Sequence, residues 1–284
     1  MNDKQPLVSA IITTRNRLEL LRRAIDGVRG QTYANIELIV VDDGSDDGTK
    51  EYCESESFKY IRIEKEDRRG GNFARNLGIE SSNGEYIAFC DDDDYWLPSK
   101  IEKQLAKMTD KVGLVFCQRR VEFVRGEGSI EYSDQRIPTE LRGDMSRRSL
   151  YSISAITSAI LVKRTILNES GNFDVRLKFW QEYELSIRIA QLTDFDFIEE
   201  PLYLYRVNFN DPNRLTNKYW NWREAVRYVH NKHKRLYADL SLREKLLVKK
   251  MVATDGIERA YASGLKYQWY KNRILRLFYS LITS

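Results

Sequence analysis

The chain has 284 residues, of which 42% are hydrophobic and 31% charged, and its formal net charge is +4. That length suits one large α/β domain with a helical addition, or two small domains. A mean hydropathy of -0.55, with no apolar run near the roughly 18–20 residues that cross a bilayer, argues against a membrane-embedded protein. Met1 to Leu7 is polar, with no hydrophobic segment behind a basic start, so no signal peptide is expected. The expected location is therefore the cytosol or the inner face of a membrane.

Leu7 to Ile12 predicts a buried strand, after which Leu18, Leu21, Ile25 and Val28 recur at helical spacing. Ile36 to Val41 is a second strand, closed by Asp42-Asp43-Gly44-Ser45, and Tyr60 to Ile63 is a short third. Asn72 to Ser81 reads as a helix stopped at Asn83-Gly84, and Tyr86 to Cys90 is a fourth strand that runs into Asp91-Asp92-Asp93-Asp94. Strands alternating with helices imply right-handed crossovers and a mostly parallel sheet. Ligands of such sheets bind beyond the carboxyl ends of the strands. The polar clusters Thr13 to Arg17, Asp42 to Asp46 and Asp91 to Asp94 fall at those ends.

The middle of the chain is less regular. Val112 to Cys117 and Val121 to Val124 predict two strands, and the polar, charged stretch from Arg125 to Arg148 predicts a loop. Ala159 to Val162 is apolar, Gln181 to Leu192 is amphipathic, and Leu202 to Val207 predicts a strand. From Lys218 the pattern is helical, with Gly256 and Gly264 as expected breaks. Residues 215–284 carry roughly fifteen Lys and Arg against about five Asp and Glu, an asymmetry that suggests an anionic partner. A first domain is expected over 1–214 and a basic helical region over 215–284. The three cysteines, Cys53, Cys90 and Cys117, lack metal-like spacing and read as reduced thiols. His230 and His233, without cysteine partners, read as surface helix residues and not as a zinc site.

Four consecutive carboxylates after a buried strand repel one another unless a cation sits among them. Oxygen-rich acidic sites suit magnesium or manganese, which also bridge diphosphates; an exposed acidic turn is the plain alternative. Asp43 at the end of the second strand can accept a hydrogen bond from a base or a ribose hydroxyl, or can simply serve a turn. Arg68 to Asn76 is a basic, glycine-containing approach to a helix, where Arg can bind phosphate through two hydrogen bonds. The dinucleotide fingerprint and the P-loop are both missing from the sequence.

In order along the chain stand Val8-Ser9-Ala10-Ile11-Ile12-Thr13-Thr14-Arg15-Asn16-Arg17, Gln31-Thr32-Tyr33, Glu37 to Asp47 around Asp42-Asp43-Gly44-Ser45, Gly70-Gly71 with Ala74-Arg75-Asn76 and Gly78, Gly84 to Phe89, and Asp91 to Asp94 with Trp96 and Pro98. This ordered set resembles the family 2 glycosyltransferases. The likeness continues more loosely through Phe173-Asp174, Gln181 to Leu185 and Pro201 to Arg206, and leaves the last seventy or so residues outside it. The resemblance implies an α/β fold of the GT-A type and an inverting transfer of sugar from a nucleotide-diphosphate donor, UDP foremost. It implies a saccharide or lipid-linked saccharide acceptor, in bacterial surface polysaccharide or glycan synthesis, and Mn2+ or Mg2+ as cofactor.

Position by position, Thr13, Arg15 and Asp43 would line the base pocket, and Arg75 would lie near the base or the diphosphate. Asp91 would meet the ribose or the metal, Asp92 would join the donor-binding carboxylates, and Asp93 would be the principal metal ligand. Glu182 stands where the family places its catalytic carboxylate, with Glu184 as the fallback. Two departures stand out: Gln181-Glu182 replaces the usual acidic pair, and Asn208 stands where many relatives carry a histidine. A nucleotidyltransferase and a catalytically silent sugar-nucleotide-binding protein stay open as alternatives. No nucleic-acid module is recognised. Trp269, Ile274, Leu277, Phe278 and Leu281, among Lys271, Arg273 and Arg276, predict a helix that packs internally, pairs with a second copy or lies on a membrane.

Overall fold

A computed structural model of the chain describes residues 5–125, 129–135, 138, 140–154, 156–208 and 218–283. The expected boundary at 214/215 lies outside the described residues. Four parallel strands form the first half of the sheet: β1 (Val8–Thr14), β2 (Ile36–Asp42), β3 (Lys59–Arg62) and β4 (Tyr86–Asp91). They lie in the order β3-β2-β1-β4. β1 lacks polar alternation beyond Ser9 because Val8 to Ile12 is buried throughout, as a strand covered on both faces requires.

The helices α1 (Leu18–Arg29) and α3 (Gly71–Glu80) follow β1 and precede β4. The crossover through α1 steps from β1 to β2, whereas that through α3 leads to β4 on the other side of β1. Right-handed connections in opposite directions place the two helices on opposite faces and make the β1/β4 edge the switch point of the sheet. A Cβ added at Gly78 would come within 2.6 Å of Ile11, so only glycine lets α3 sit this close to β1. The short α2 (Thr49–Glu54) lies between β2 and β3.

The second half of the sheet is built differently. β5 (Tyr95–Trp96), β6 (Val112–Val124), β8 (Leu161–Lys163) and β9 (Asp194–Asn208) extend it in the order β4-β8-β6-β9-β5. β8 runs antiparallel to both neighbours, while β6 and β9 are parallel. The two strands expected at 112–117 and 121–124 are one strand, β6, whose pairing with β9 shifts register around Gln118. The polar run Gln118-Arg119-Arg120 between them holds a bulge within the strand. The loop expected from Arg125 to Arg148 contains β7 (Ile130–Gln135), an exposed edge strand held to β6 by Arg120–Asp134 and Arg125–Glu131 pairs. Its apolar signal is weak because it buries no face; residues 126–128, 136–137 and 139 of that stretch lie outside the description.

Three further helices frame this half: α4 (Lys100–Leu105), α5 (Arg164–Ser170) and α6 (Gln181–Ile189). After β9 come α7 (Tyr219–Lys232), α8 (Lys234–Ala238), α9 (Leu242–Ala262) and α10 (Lys266–Thr283). Gly264, at φ +68°, separates α9 from α10 as expected. Gly256 does not break α9: an added Cβ would come 2.7 Å from Asn272 and 2.9 Å from Trp222, so glycine here permits the close approach of α10 and α7.

Besides the core around the sheet, a second apolar cluster joins Leu150, Leu177, Phe179, Trp180, Tyr183 and Ile187 to Tyr219, Trp222, Val226, Val229 and Ala260. The C-terminal helices thus share one core with the segment that leads into α6. Among the described residues no helix is long and apolar enough to cross a membrane.

Candidate active site

β1, β2 and β4 end together, and register places Thr13 between Val41 and Asp91. The adjacent pair Asp42-Asp43 divides its duties. Asp42 is fully buried and accepts hydrogen bonds from Ser45 N (2.8 Å), Ser45 Oγ (2.5 Å), Tyr60 Oη (2.8 Å) and Arg62 Nη1 (2.7 Å). It braces the turn. Asp43 keeps a buried carboxylate oxygen, Oδ1, with no hydrogen-bond partner. Burial pushes its carboxyl above the ordinary range, against the pull of Arg15 and Arg68. A buried acceptor without a partner is costly, and at the end of a central strand it suits a ligand's N–H or hydroxyl. Arg15 is exposed at the rim.

The acidic run alternates in the same way. Asp92 and Asp94 turn inward, the Asp92 side chain 8% exposed and Asp94 almost fully buried, while Asp91 and Asp93 keep 29% and 34% of their side-chain surface open. Asp91 accepts from Arg75 Nη2 at 2.6 Å, and its backbone N–H donates to Ser158 Oγ at 3.0 Å. Asp92 accepts from Thr14 Oγ1 at 2.9 Å and from Arg17 Nη1 at 3.1 Å, and the same guanidinium reaches Asp93 at 3.1 Å. Asp94 Oδ1 accepts the Arg206 N–H from β9 at 3.2 Å, whereas its Oδ2 is buried without a partner. Burial first, then the neighbouring carboxylates, raise Asp93 to about 7 and hold Asp94 well above the usual range; burial also lifts Asp92, opposed by Arg17.

Negative charge is therefore in surplus at the strand end, as a site for a divalent cation requires. Among the described residues no three His, Cys, Asp or Glu side chains form a cage by themselves. The donor set fits an ion held by one or two carboxylates that completes its shell with phosphate oxygens and water, the usual habit of magnesium. Asp91 and Asp93 are the two open carboxylates available for it.

Glu182 and Glu184 separate cleanly. Glu182, in the first turn of α6, accepts a hydrogen bond from Thr157 Oγ1, and its charge acts on Arg75, the partner of Asp91. It belongs to the acidic strand end. Glu184 is fully buried and committed elsewhere: Arg188 lies at 2.8 Å, Lys232 at 2.7 Å and His233 Nε2 at 2.9 Å. Burial would raise its pKa, but hydrogen bonds from His233 and Arg188 and the surrounding positive charge bring it down to about 2. Its role is to tie α6 to α7 and α8. Asn208 closes β9, two residues beyond the Arg206 N–H that meets Asp94.

Three further residues complete the site without any role assigned to them by the sequence, although Arg17 stands in the first polar cluster. Arg17 bridges Asp92 and Asp93. Thr157 and Ser158 share one helical turn, Thr157–Ala159, and touch Glu182 and Asp91 respectively. That turn is pinned by Gln104 Nε2, which donates to Ala159 O at 2.8 Å.

Residues 9–169 match the model of glycosyl transferase family 2. The chain belongs to that family. Among its relatives is an uncharacterized glycosyltransferase of Rickettsia typhi, 34% identical over 213 residues, covering 73% of this chain and 66% of the relative. The chain thus spans a little under two thirds of that family member's length. The fold is of the GT-A type. The mannosyltransferase PcManGT from Pyrobaculum calidifontis, in complex with GDP-Man and Mn2+, aligns with a TM-score of 0.58 at 18% identity over 97% of this chain and 88% of that one. S. aureus TarS in complex with UDP aligns with a TM-score of 0.56 at 16% identity, over 97% of this chain and 91% of that one.

Proposed function

We propose that this family 2 member is an inverting, metal-dependent glycosyltransferase that moves a sugar from a UDP-sugar to a hydroxyl of a saccharide or lipid-linked saccharide. The reading rests above all on one pairing: a strand end with surplus negative charge faces a separate carboxylate, Glu182, across Arg75. Thr13, Arg15 and the partnerless oxygen of Asp43 receive the base, Arg75 and Asp91 the ribose and diphosphate, and Asp93, with Asp91, the ion. Asp92 holds Arg17 and Thr14 in place beneath them.

A divalent cation bound here, Mn2+ or Mg2+, would neutralise charge on the departing diphosphate. Glu182, oriented by the Thr157 hydroxyl, takes the acceptor's proton as the new bond forms. One carboxylate suffices, because a single displacement inverts the anomeric centre. UDP is favoured by the family and by the TarS complex; the GDP-Man complex of PcManGT is why the nucleotide must be tested.

The C-terminal helix extends this reading. Tyr267, Tyr270, Ile274, Leu277, Phe278 and Leu281 are exposed on α10, and Lys271, Arg273 and Arg276 lie among them with no acidic residue in the helix. Trp269, expected on that stripe, instead packs into the second core. An aromatic and aliphatic face with basic flanks suits an anionic membrane surface, where a lipid-linked acceptor for surface polysaccharide would be met.

A donor screen with manganese, following the released nucleotide, tests the proposal. Release of UDP with acceptor glycosylation is expected. Release of pyrophosphate would make the chain a nucleotidyltransferase, and tight donor binding without turnover across donors and acceptors would make it a silent binding protein.

A further inference from the structure

Trp180, the residue before α6, has φ 57° and ψ 29°, the left-handed region. Large side chains rarely adopt it, and such a conformation persists only where the surroundings over-determine it. Glycine would adopt it freely; here the side chain must hold the backbone in place. Its indole N–H donates to Asp255 Oδ2 at 2.7 Å, and the same oxygen accepts the Trp222 indole N–H at 2.6 Å. The other carboxylate oxygen takes Arg259 Nε at 3.3 Å. The Trp180 ring meets Tyr183 at 4.7 Å and Trp222 at 6.1 Å, both edge-on. Trp180 O accepts the Glu184 N–H at 2.9 Å, so the conformation of Trp180 fixes the rotation of the first turn of α6. Glu182 lies in that turn.

We propose that Asp255, on α9, is a positioning residue for Glu182: by clamping the Trp180 indole it holds the left-handed entry to α6 that aims the carboxylate at the acceptor. This rests on the reading of Glu182 as the base. It gives the C-terminal helices a part in the reaction, although they lie outside the family match. An accepting oxygen at that spot is what the clamp needs, so asparagine can supply it and alanine cannot.

The test is transfer kinetics on the full chain, with donor affinity measured separately and folding followed by circular dichroism. Asp255→Ala is expected to lower kcat by about 10–100-fold, the scale of a misplaced catalytic group, while donor Kd stays within about twofold. Asp255→Asn is expected to recover kcat to within about threefold. A purely structural role would instead lower the fraction of folded, donor-binding protein and leave kcat per binding site unchanged, which would overturn the proposal. Trp180→Phe removes the N–H and keeps the ring; if Asp255→Ala does not fold, an unchanged kcat in Trp180→Phe overturns it equally.

The same changes made in Glu182→Gln separate the two claims. Residual transfer, followed with radiolabelled donor, should not fall further when Asp255→Ala is added, because the group it positions is gone. A full second loss would show that Asp255 acts elsewhere, with the base reading intact. If Glu182→Gln alone transfers normally, the base reading fails, and this proposal with it.

Discussion

At the end of β4 four carboxylates share two guanidinium partners, Arg17 and Arg75, whereas at the junction of α6 with α7 a single carboxylate, Glu184, is met by Arg188, Lys232 and His233. Glu184 is fully and Asp93 partly buried, and they titrate in opposite directions: Asp93 is raised to about 7 and Glu184 lowered to about 2. Burial penalises both charged forms; what differs is the charge around each, since neighbouring Asp92 and Asp91 add to the rise at Asp93 while His233, Arg188 and Lys232 outweigh burial at Glu184. A carboxylate with more cations than it needs belongs to the scaffold. Carboxylates with fewer are waiting for positive charge from a ligand. The same test divides Asp42, with four donors, from Asp43, with a buried oxygen that has none.

The comparison breaks most visibly at Asp93. Asp93→Ala is expected to reduce transfer by at least about 10³-fold and to abolish the strengthening of donor binding by manganese in calorimetry. Near-normal turnover with metal present would remove the ion from the surplus carboxylates. The ion-free protein sharpens the point. A carboxyl raised in the folded state destabilises it progressively from its ordinary pKa of 3.8 up to about 7. Asp93→Asn should therefore melt higher than the parent at pH 7.5 without metal, and not at pH 4, although it is inactive. Glu182→Gln comes next: transfer falls by about 10²–10⁴-fold while donor and metal affinity stay within a few-fold. An active Glu182→Gln beside an inactive, folded Glu184→Gln would mean that the two carboxylates have been assigned in reverse.

Much of this is legible in the sequence. β1, β2, β4 and α3 announce themselves because both faces of the strands are buried and their ends carry polar clusters. Several motif residues are structural: the Gly84 N–H donates to Ser9 Oγ and to Glu37, the Ser9 hydroxyl donates to Glu37, and a Cβ at Gly84 would come 2.4 Å from Ser9 Oγ. Gln31 likewise holds Gly27, Leu97 and Ile101 together. The family resemblance put Glu182 ahead of Glu184 but gave no physical reason, because their difference lies in Lys232 and His233, some fifty residues away. Nor could the sequence find Thr157 or Ser158, ordinary polar residues whose importance comes from where the fold puts them, and it placed Arg17 in the first polar cluster without giving it a role. β7 escaped because an exposed edge strand has no apolar period to read.

Glu184 tests the scaffold side. Removing one partner from a buried ionic cluster typically costs about 3–5 kcal/mol, so Glu184→Gln should lower the unfolding free energy read from urea titration by an amount of that order, with donor affinity kept in the protein that remains folded. The pH dependence has a definite sign. A carboxyl whose pKa is depressed in the folded state contributes stability that is complete above its ordinary 4.5 and is lost as pH falls toward about 2. The parent should lose stability steeply across that window, and the Glu184→Gln curve should be flatter. Parallel curves would mean that the cluster contributes nothing and that the contrast with Asp93 is one of burial alone.

The smallest expected effect concerns α10, whose outward face has too many cations and no anion. Tyr267 and Leu281 are 73% and 79% exposed, and Ile274, Leu277 and Phe278 are more than half exposed. Deleting the helix would be a poor test. Asn272 fills the space against Gly256 and Trp222, and its loss would open the second core. Ile274→Ser, Leu277→Ser and Leu281→Ser together alter only the exposed stripe. Each basic residue near an anionic surface contributes about 1 kcal/mol, and salt screens that attraction over about 8–10 Å. The parent should therefore sediment with vesicles containing phosphatidylglycerol, bind less as sodium chloride rises, and ignore neutral phosphatidylcholine. The triple variant should bind several-fold more weakly while its transfer to a soluble acceptor is unchanged. Equal binding by parent and variant would exclude this face as the membrane contact. A parent that is dimeric by light scattering and a variant that is monomeric would assign the stripe to a second copy of the chain, because an apolar seam between subunits responds to the serines but not to the charge of the lipid.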